Sequence, residues 1–211
     1  MTNRNKIKTV TPKNKVQKQF INAIIECPVV FSVGAAGTGK TFLAAHQALE
    51  SLSYSFVEKI VLVRPVVATE QLGYLPGDFK EKLDPYLLPL FDCLIQVSNQ
   101  QYIEQLREYG KIEIAPLAFM RGRTFSNSFV ILDEAQNTTV SQMKLFLTRF
   151  GENVRVVITG DVTQSDIKEE NGLQWAIEKL RLCPSVSVVE YKNKDVVRSA
   201  LVADLIKYLD D

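Results

Sequence analysis

The 211-residue sequence predicts an α/β fold of three layers, a mostly parallel central sheet covered by helices on both faces. Two observations predict it. Six short runs are dense in β-branched and other apolar residues, and the stretches between them repeat apolar residues at helical spacing. A sheet buried on both sides yields strands that are apolar along their whole length, and alternation of strand with helix makes neighbours parallel. In such sheets ligands collect at the carboxyl ends of the strands.

In chain order, "PVVFSV" (28–33) reads as the first strand and residues 41–51 as the helix after it. "KIVLVR" (59–64) is the second strand. "GYLPGDFKEKLDPYLLPLFDCL" (73–94) sets Tyr74, Phe79, Tyr86 and Phe91 among glycines and prolines and reads as a loop and a short helix. Its aromatics are expected to be core anchors, the alternative being that they stack the bases of a single strand, with Lys80 and Lys82 as weak nucleic-acid contacts. A helix over 102–109 leads to "KIEIA" (111–115), then "FVILD" (129–133), a helix over 140–150, "VRVVIT" (154–159), a helix over 173–182 and "SVSVVE" (185–190). A last helix is expected over 195–209. No internal repeat or long linker interrupts this order, so residues 11–211 read as one domain.

Composition narrows the class. With 46% hydrophobic and 23% charged residues the chain can bury a core. No segment approaches the roughly 18 apolar residues of a membrane span, and the N-terminus lacks the apolar stretch of a signal peptide, so a cytoplasmic location is expected. Cys27, Cys93 and Cys183 are far apart and outside metal-binding spacing, which fits reduced, buried thiols. The single histidine, His46, falls in a predicted helix and reads as a helix-surface or packing residue rather than a metal ligand. The formal charge is +1, but Arg4, Lys6, Lys8, Lys13, Lys15 and Lys18 stand near the N-terminus without an acid. Residues 1–10 are read as a basic arm, either solvated or laid along a phosphate backbone.

The chemistry is expected where strands end. After the first strand, Gly34, Ala35, Ala36, Gly37, Thr38, Gly39, Lys40 and Thr41 fit G-x-x-x-x-G-K-[ST] ahead of a helix. Glycines let successive backbone N–H groups turn inward onto phosphate oxygens, the helix N-terminus adds partial positive charge, and Lys40 supplies a cation for the outer phosphates. Thr41 is expected to place its hydroxyl on magnesium. The strand "FVILD" ends in Asp133, followed by Glu134. Adjacent side chains on a strand point apart, so their roles divide: Asp133 for the metal, Glu134 to polarise a water in line with the outer phosphate. The next strand delivers Gly160, Asp161, Thr163, Gln164, Ser165 and Asp166. Gln164 can donate to phosphate and accept from the attacking water.

With "GAAGTGKT", "LVRPVVATEQLGYLPGDFKEKLDPYLLPL", "FMRGRTFSNSFVILDEAQNTT", "LTRFGENVRVVITGDVTQSD" and "DVVRSALV" in this order, nearly the whole chain resembles the PhoH-like family of ATPases. The resemblance implies a RecA-like P-loop NTPase core akin to the first core domain of superfamily 1 helicases. It also implies ATP and Mg2+ as ligands, action on RNA or DNA, and hexameric rings. Some relatives carry a PIN-type nuclease domain; none is visible here, and nuclease activity is not expected. By the resemblance Gln17, three residues before Phe20, matches the helicase-like glutamine that reads the adenine edge. The sequence departs from the family at Ala35, where proline is common, at "VVATEQLG", which is a residue short, and at Ser199-Ala200, in place of a His-Pro pair.

A single core leaves the transition-state charge to be met from elsewhere, and an arginine of a neighbouring copy is the expected answer. Arg198 and Arg149 are the candidates, with Arg121 and Arg123 as alternatives for that role or for nucleic acid. The leading expectation is an ATP-hydrolysing motor on single-stranded RNA or DNA without strong sequence preference. A nucleotide or small-molecule kinase and an ATP-gated interaction protein are the other readings.

Overall fold

The computed structural model describes residues 6–65, 79–167 and 169–197, and of residues 79–87 the backbone alone. Six strands, β1 (Val29–Gly34), β2 (Lys59–Val63), β3 (Ile112–Ile114), β4 (Ser128–Leu132), β5 (Val154–Gly160) and β6 (Val186–Tyr191), form one sheet in the order β3-β2-β4-β5-β1-β6. Every pairing is parallel. Each strand lies within two residues of its predicted span because all six are apolar runs bounded by polar turns.

Alternation of side chains divides the core in two. Val30, Ile60, Leu62, Phe129, Ile131 and Val157 face one cluster; Phe31, Val61, Val63, Val130, Leu132 and Ile158 face the other. Among the described residues four helices cover the first face: α1 (Lys15–Glu26), α2 (Lys40–Ser53), α3 (Phe79–Val97) and α4 (Gln100–Glu108). Two, α5 (Val140–Leu147) and α6 (Gly172–Leu180), cover the second. The three-layer α/β class is therefore the one observed.

The helices correct the sequence reading in several places. The helix α1 was not anticipated, since its surface is polar and basic; it starts on Asn14, whose side chain accepts from the Gln17 N–H, and buries Phe20, Ala23 and Ile24. The helix α3 runs for 19 residues, where only a short helix was expected. Phe91, near its middle, is a core residue as expected, while Tyr74 lies outside the described residues, as do the side chains of Phe79, Lys80, Lys82 and Tyr86. The helix α5 stops before Phe150, which instead forms a bridge with Phe125, and the Arg149 carbonyl accepts the Phe125 N–H at 2.8 Å. Of the helix expected over 195–209, residues 198–209 lie outside the described residues; Asn193–Asp195 form a short 3₁₀ turn.

From Lys6 on, the basic N-terminal segment is docked against the helices. The Lys8 N–H donates to the Val97 carbonyl at 2.8 Å, Ser98 Oγ to the Lys6 carbonyl at 2.7 Å, and the Lys6 ammonium stands 4.8 Å from the Tyr102 ring centroid. His46 is buried and bonds the Lys8 carbonyl through Nε2 at 3.0 Å, a packing role. Among the described residues no helix is long and apolar enough to cross a membrane.

Candidate nucleotide site

The carboxyl ends of β1, β4 and β5 converge on one cavity of about 320 Å³, lined by Gly37, Gly39, Lys40, Thr41, Glu134, Asp161 and Gln164 among others. The loop that opens it begins at Gly34, where φ is +130°, and continues through Gly37 and Gly39 in left-handed conformations, φ 77° and 84°. The Val197 N–H donates to the Gly37 carbonyl at 2.9 Å, bracing the loop from β6's side. Within it the Lys40 ammonium donates to the Gly34 carbonyl at 2.6 Å, the Ala35 carbonyl at 2.8 Å and Thr38 Oγ1 at 3.3 Å. Burial pulls the Lys40 pKa below the usual lysine value, against the opposing charges of Asp161, Asp133 and Glu134.

The loop's helix meets the acid strand directly. Thr41 Oγ1 donates to Asp133 Oδ1 at 2.9 Å, and Thr159 Oγ1, at the end of β5, donates to the same oxygen at 2.6 Å. Asp133 is 5% exposed and Thr159 fully buried. Because β5 lies between β1 and β4, its Thr159 props the carboxylate from the strand that separates loop and acid. Replacing Thr159 with valine keeps the shape and removes a donor to a buried charge, so stability should fall by about 1.5–3 kcal/mol. Urea denaturation of the two proteins reads this directly, and equal midpoints would show that the bond contributes nothing.

Glu134 follows in a left-handed conformation, φ 55°, uncommon for a residue with a side chain. Its Oε1 accepts from an Arg64 guanidinium nitrogen at 3.2 Å and its Oε2 from Gln136 Nε2 at 2.5 Å. Asp161 is 6% exposed; its Oδ1 takes the Thr163 N–H and hydroxyl, while its Oδ2 is buried without a hydrogen-bond partner. Gln164 is exposed at the cavity rim.

The remaining predicted residues scatter. Gln17, 4% exposed, donates Nε2 to the Thr38 carbonyl at 2.9 Å and accepts the Lys13 N–H on Oε1 at 2.7 Å. It supports the loop from beneath, and its amide N–H2 and carbonyl oxygen each retain one hydrogen-bonding position beyond these bonds. Arg149 lies ahead of the amino ends of β4 and β5, the edge opposite the cavity. Arg123 is committed to Glu113 and to the Phe125 ring, 5.0 Å away, and Arg121 is exposed. Arg198 lies outside the described residues. Arg64, Gln136 and Thr159 stand in the site without a motif that marks them. The available signal was their position, each at or just past the carboxyl end of a strand.

A hard cation fits this donor set. A threonine hydroxyl beside a carboxylate supplies two oxygen ligands of the kind magnesium takes while keeping waters and phosphate oxygens for the rest.

The family model described as PhoH-like protein matches residues 9–210. The chain belongs to the PhoH-like family. This PhoH-like chain is 48% identical over 213 residues to a PhoH-like protein of Bacillus subtilis (strain 168), covering 100% of the chain and 67% of that relative. It is 46% identical over 197 residues to Protein PhoH of Escherichia coli (strain K12), covering 91% of the chain and 56% of the relative. It thus spans roughly three fifths of the length of such relatives. Among solved structures, the HK97 bacteriophage large terminase superposes with a TM-score of 0.52 at 16% identity, over 91% of this chain and 44% of that one. That likeness shows the fold, a parallel sheet between two layers of helices.

Proposed function

We propose that the chain binds ATP with magnesium and hydrolyses it, using the energy in work on nucleic acid as part of a ring. The observation that carries this reading is the 2.9 Å bond between Thr41 and Asp133, which joins the loop's helix to the acid strand at the edge of a single cavity. Loop amides and Lys40 hold the outer phosphates. Thr41 and Asp133 are the residues that would hold magnesium, which when bound neutralises charge on those phosphates. Glu134 takes a proton from a water as its oxygen bonds the γ-phosphorus and the bond from that phosphorus to the β–γ bridging oxygen breaks, and Gln164 orients that water.

The ring part of this reading rests on a neighbouring copy supplying an arginine for the transition-state charge. Arg149, at the far edge of its own sheet, can serve only another copy, and Arg198 follows directly the residue whose N–H braces Gly37. An arginine that meets charge only in the transition state leaves binding alone when removed. Arg198→Ala, or Arg149→Ala if that is the finger, should therefore keep nucleotide affinity and lose turnover. Mixing the inactive finger variant with Lys40→Ala protein should restore part of the activity, since some neighbours then pair an intact loop with an intact arginine. No recovery on mixing, together with a monomer mass in solution, would remove the ring. Phosphate release measured against single-stranded RNA and DNA tests the nucleic-acid half: strong stimulation is expected, whereas acceptor-dependent ATP consumption would instead indicate a kinase.

A further inference from the structure

We infer that Arg64 is a positioning residue for Glu134, one jaw of a clamp whose other jaw is Gln136. The strands β2 and β4 are neighbours with Val63 opposite Leu132, and the Asp133 N–H donates to the Val63 carbonyl at 3.0 Å. That register brings Arg64 and Glu134, residues just past the ends of their strands, to the same point on the carboxyl edge. Arg64 reaches one carboxylate oxygen at 3.2 Å and Gln136 the other at 2.5 Å, so both oxygens are held from opposite sides.

Gln136 is itself fixed. It is 3% exposed, its Oε1 accepts the Asp161 N–H at 3.0 Å, and its carbonyl accepts from Ser165 Oγ and Asn171 Nδ2, both at 3.0 Å. One jaw thus belongs to β2 and the other is anchored to the segment after β5 that carries Gln164. A glutamate otherwise has three rotatable bonds and a 40% exposed side chain, with little else to hold it toward the cavity. The left-handed backbone at Glu134 is the kind of strained conformation that surrounding structure must over-determine, and this clamp does so. Arg64 suits the task because a guanidinium is always charged and its planar fork restricts the direction of the partner.

The inference rests on the proposed hydrolysis for its kinetic test but not for its structural one. In nucleotide-free protein, carbodiimide-driven coupling of an amine to Glu134, read by mass spectrometry, should be faster in Arg64→Ala than in the unmodified chain, because the released carboxylate is open to the reagent. In ATP turnover, Arg64→Ala should lower kcat by roughly 10- to 100-fold while KM and affinity for a non-hydrolysable triphosphate stay unchanged, as expected for misplacing a reacting group. Arg64→Lys should recover part of the loss. In a Glu134→Gln background, Arg64→Ala should add nothing, because a residue that acts through Glu134 has no second route. A full further loss in that background, a KM rise with kcat kept, or unchanged labelling overturns the assignment. If the unmodified chain hydrolyses no ATP while labelling still responds to Arg64, the clamp stands and the hydrolytic reading fails.

Discussion

Replacing Lys40 with alanine should reduce ATP turnover by roughly 10²–10³-fold or more, the scale seen when one preorganised donor is taken from a developing anion. The surroundings make the effect severe. Asp133, Glu134 and Asp161 place three carboxylates around the loop, and their charges are the ones that oppose the burial-driven fall in the Lys40 pKa. A triphosphate entering without the ammonium meets those carboxylates with one cation fewer in its favour. Affinity should therefore fall with turnover, unlike the outcome for a trans-acting arginine. The ammonium already bonds two loop carbonyls, so it is prepositioned, and lysine to arginine would put a larger planar group into that ring of oxygens. Phosphate release and a titration with labelled nucleotide check both parts. Turnover at the level of the unmodified chain would show that the loop does not seat the nucleotide.

Replacing Gly34 with alanine should instead attack the fold at the point where the sheet becomes the loop. Gly34 ends β1 with φ +130°, a conformation L side chains rarely adopt. It is also paired with Tyr191 of β6, and an added Cβ would overlap the Tyr191 backbone carbonyl, which cannot swing aside as a side-chain tip can. The expected loss is about 3–5 kcal/mol, of which one to three comes from the dihedral and the rest from overlap or strand displacement. That is a large fraction of the 5–15 kcal/mol that holds a typical domain together. Thermal and urea unfolding should both register it. A variant of undiminished stability would mean that β6 can move away from β1 at little cost.

The strands were legible because their signal is local and strong: β4 is buried at all five positions, and a run such as "FVILD" has no competing reading. That the glycine-rich loop follows β1 and the acids follow β4 was legible for a related reason, since each stands directly after an apolar run. Helix α3 was hidden by Pro85 and Pro89, which ordinarily end helices, and α1 by a polar surface that resembles a solvated tail. The shortening of α5 depends on Phe150 pairing with Phe125, a contact no local pattern carries. Arg64, Gln136 and Thr159 escaped notice for the same reason. Each acts across the sheet, through the β2–β4 or β4–β5 register, and register is known only once strand order is known. Of the two readings of His46, surface or packing, the structure shows packing, against the Lys8 carbonyl of the basic N-terminal segment.

The insertion of β5 between β1 and β4 fixes a length. Two steps across a sheet amount to roughly 9–10 Å, so the loop after β1 and the acids after β4 spring from strands set that far apart and meet through the 2.9 Å bond between Thr41 and Asp133. Widening or narrowing that gauge would disturb both supports together. The tip of β5, where Thr159 and Gly160 sit, therefore behaves as a caliper: even a conservative exchange there is felt at two places that share no residue.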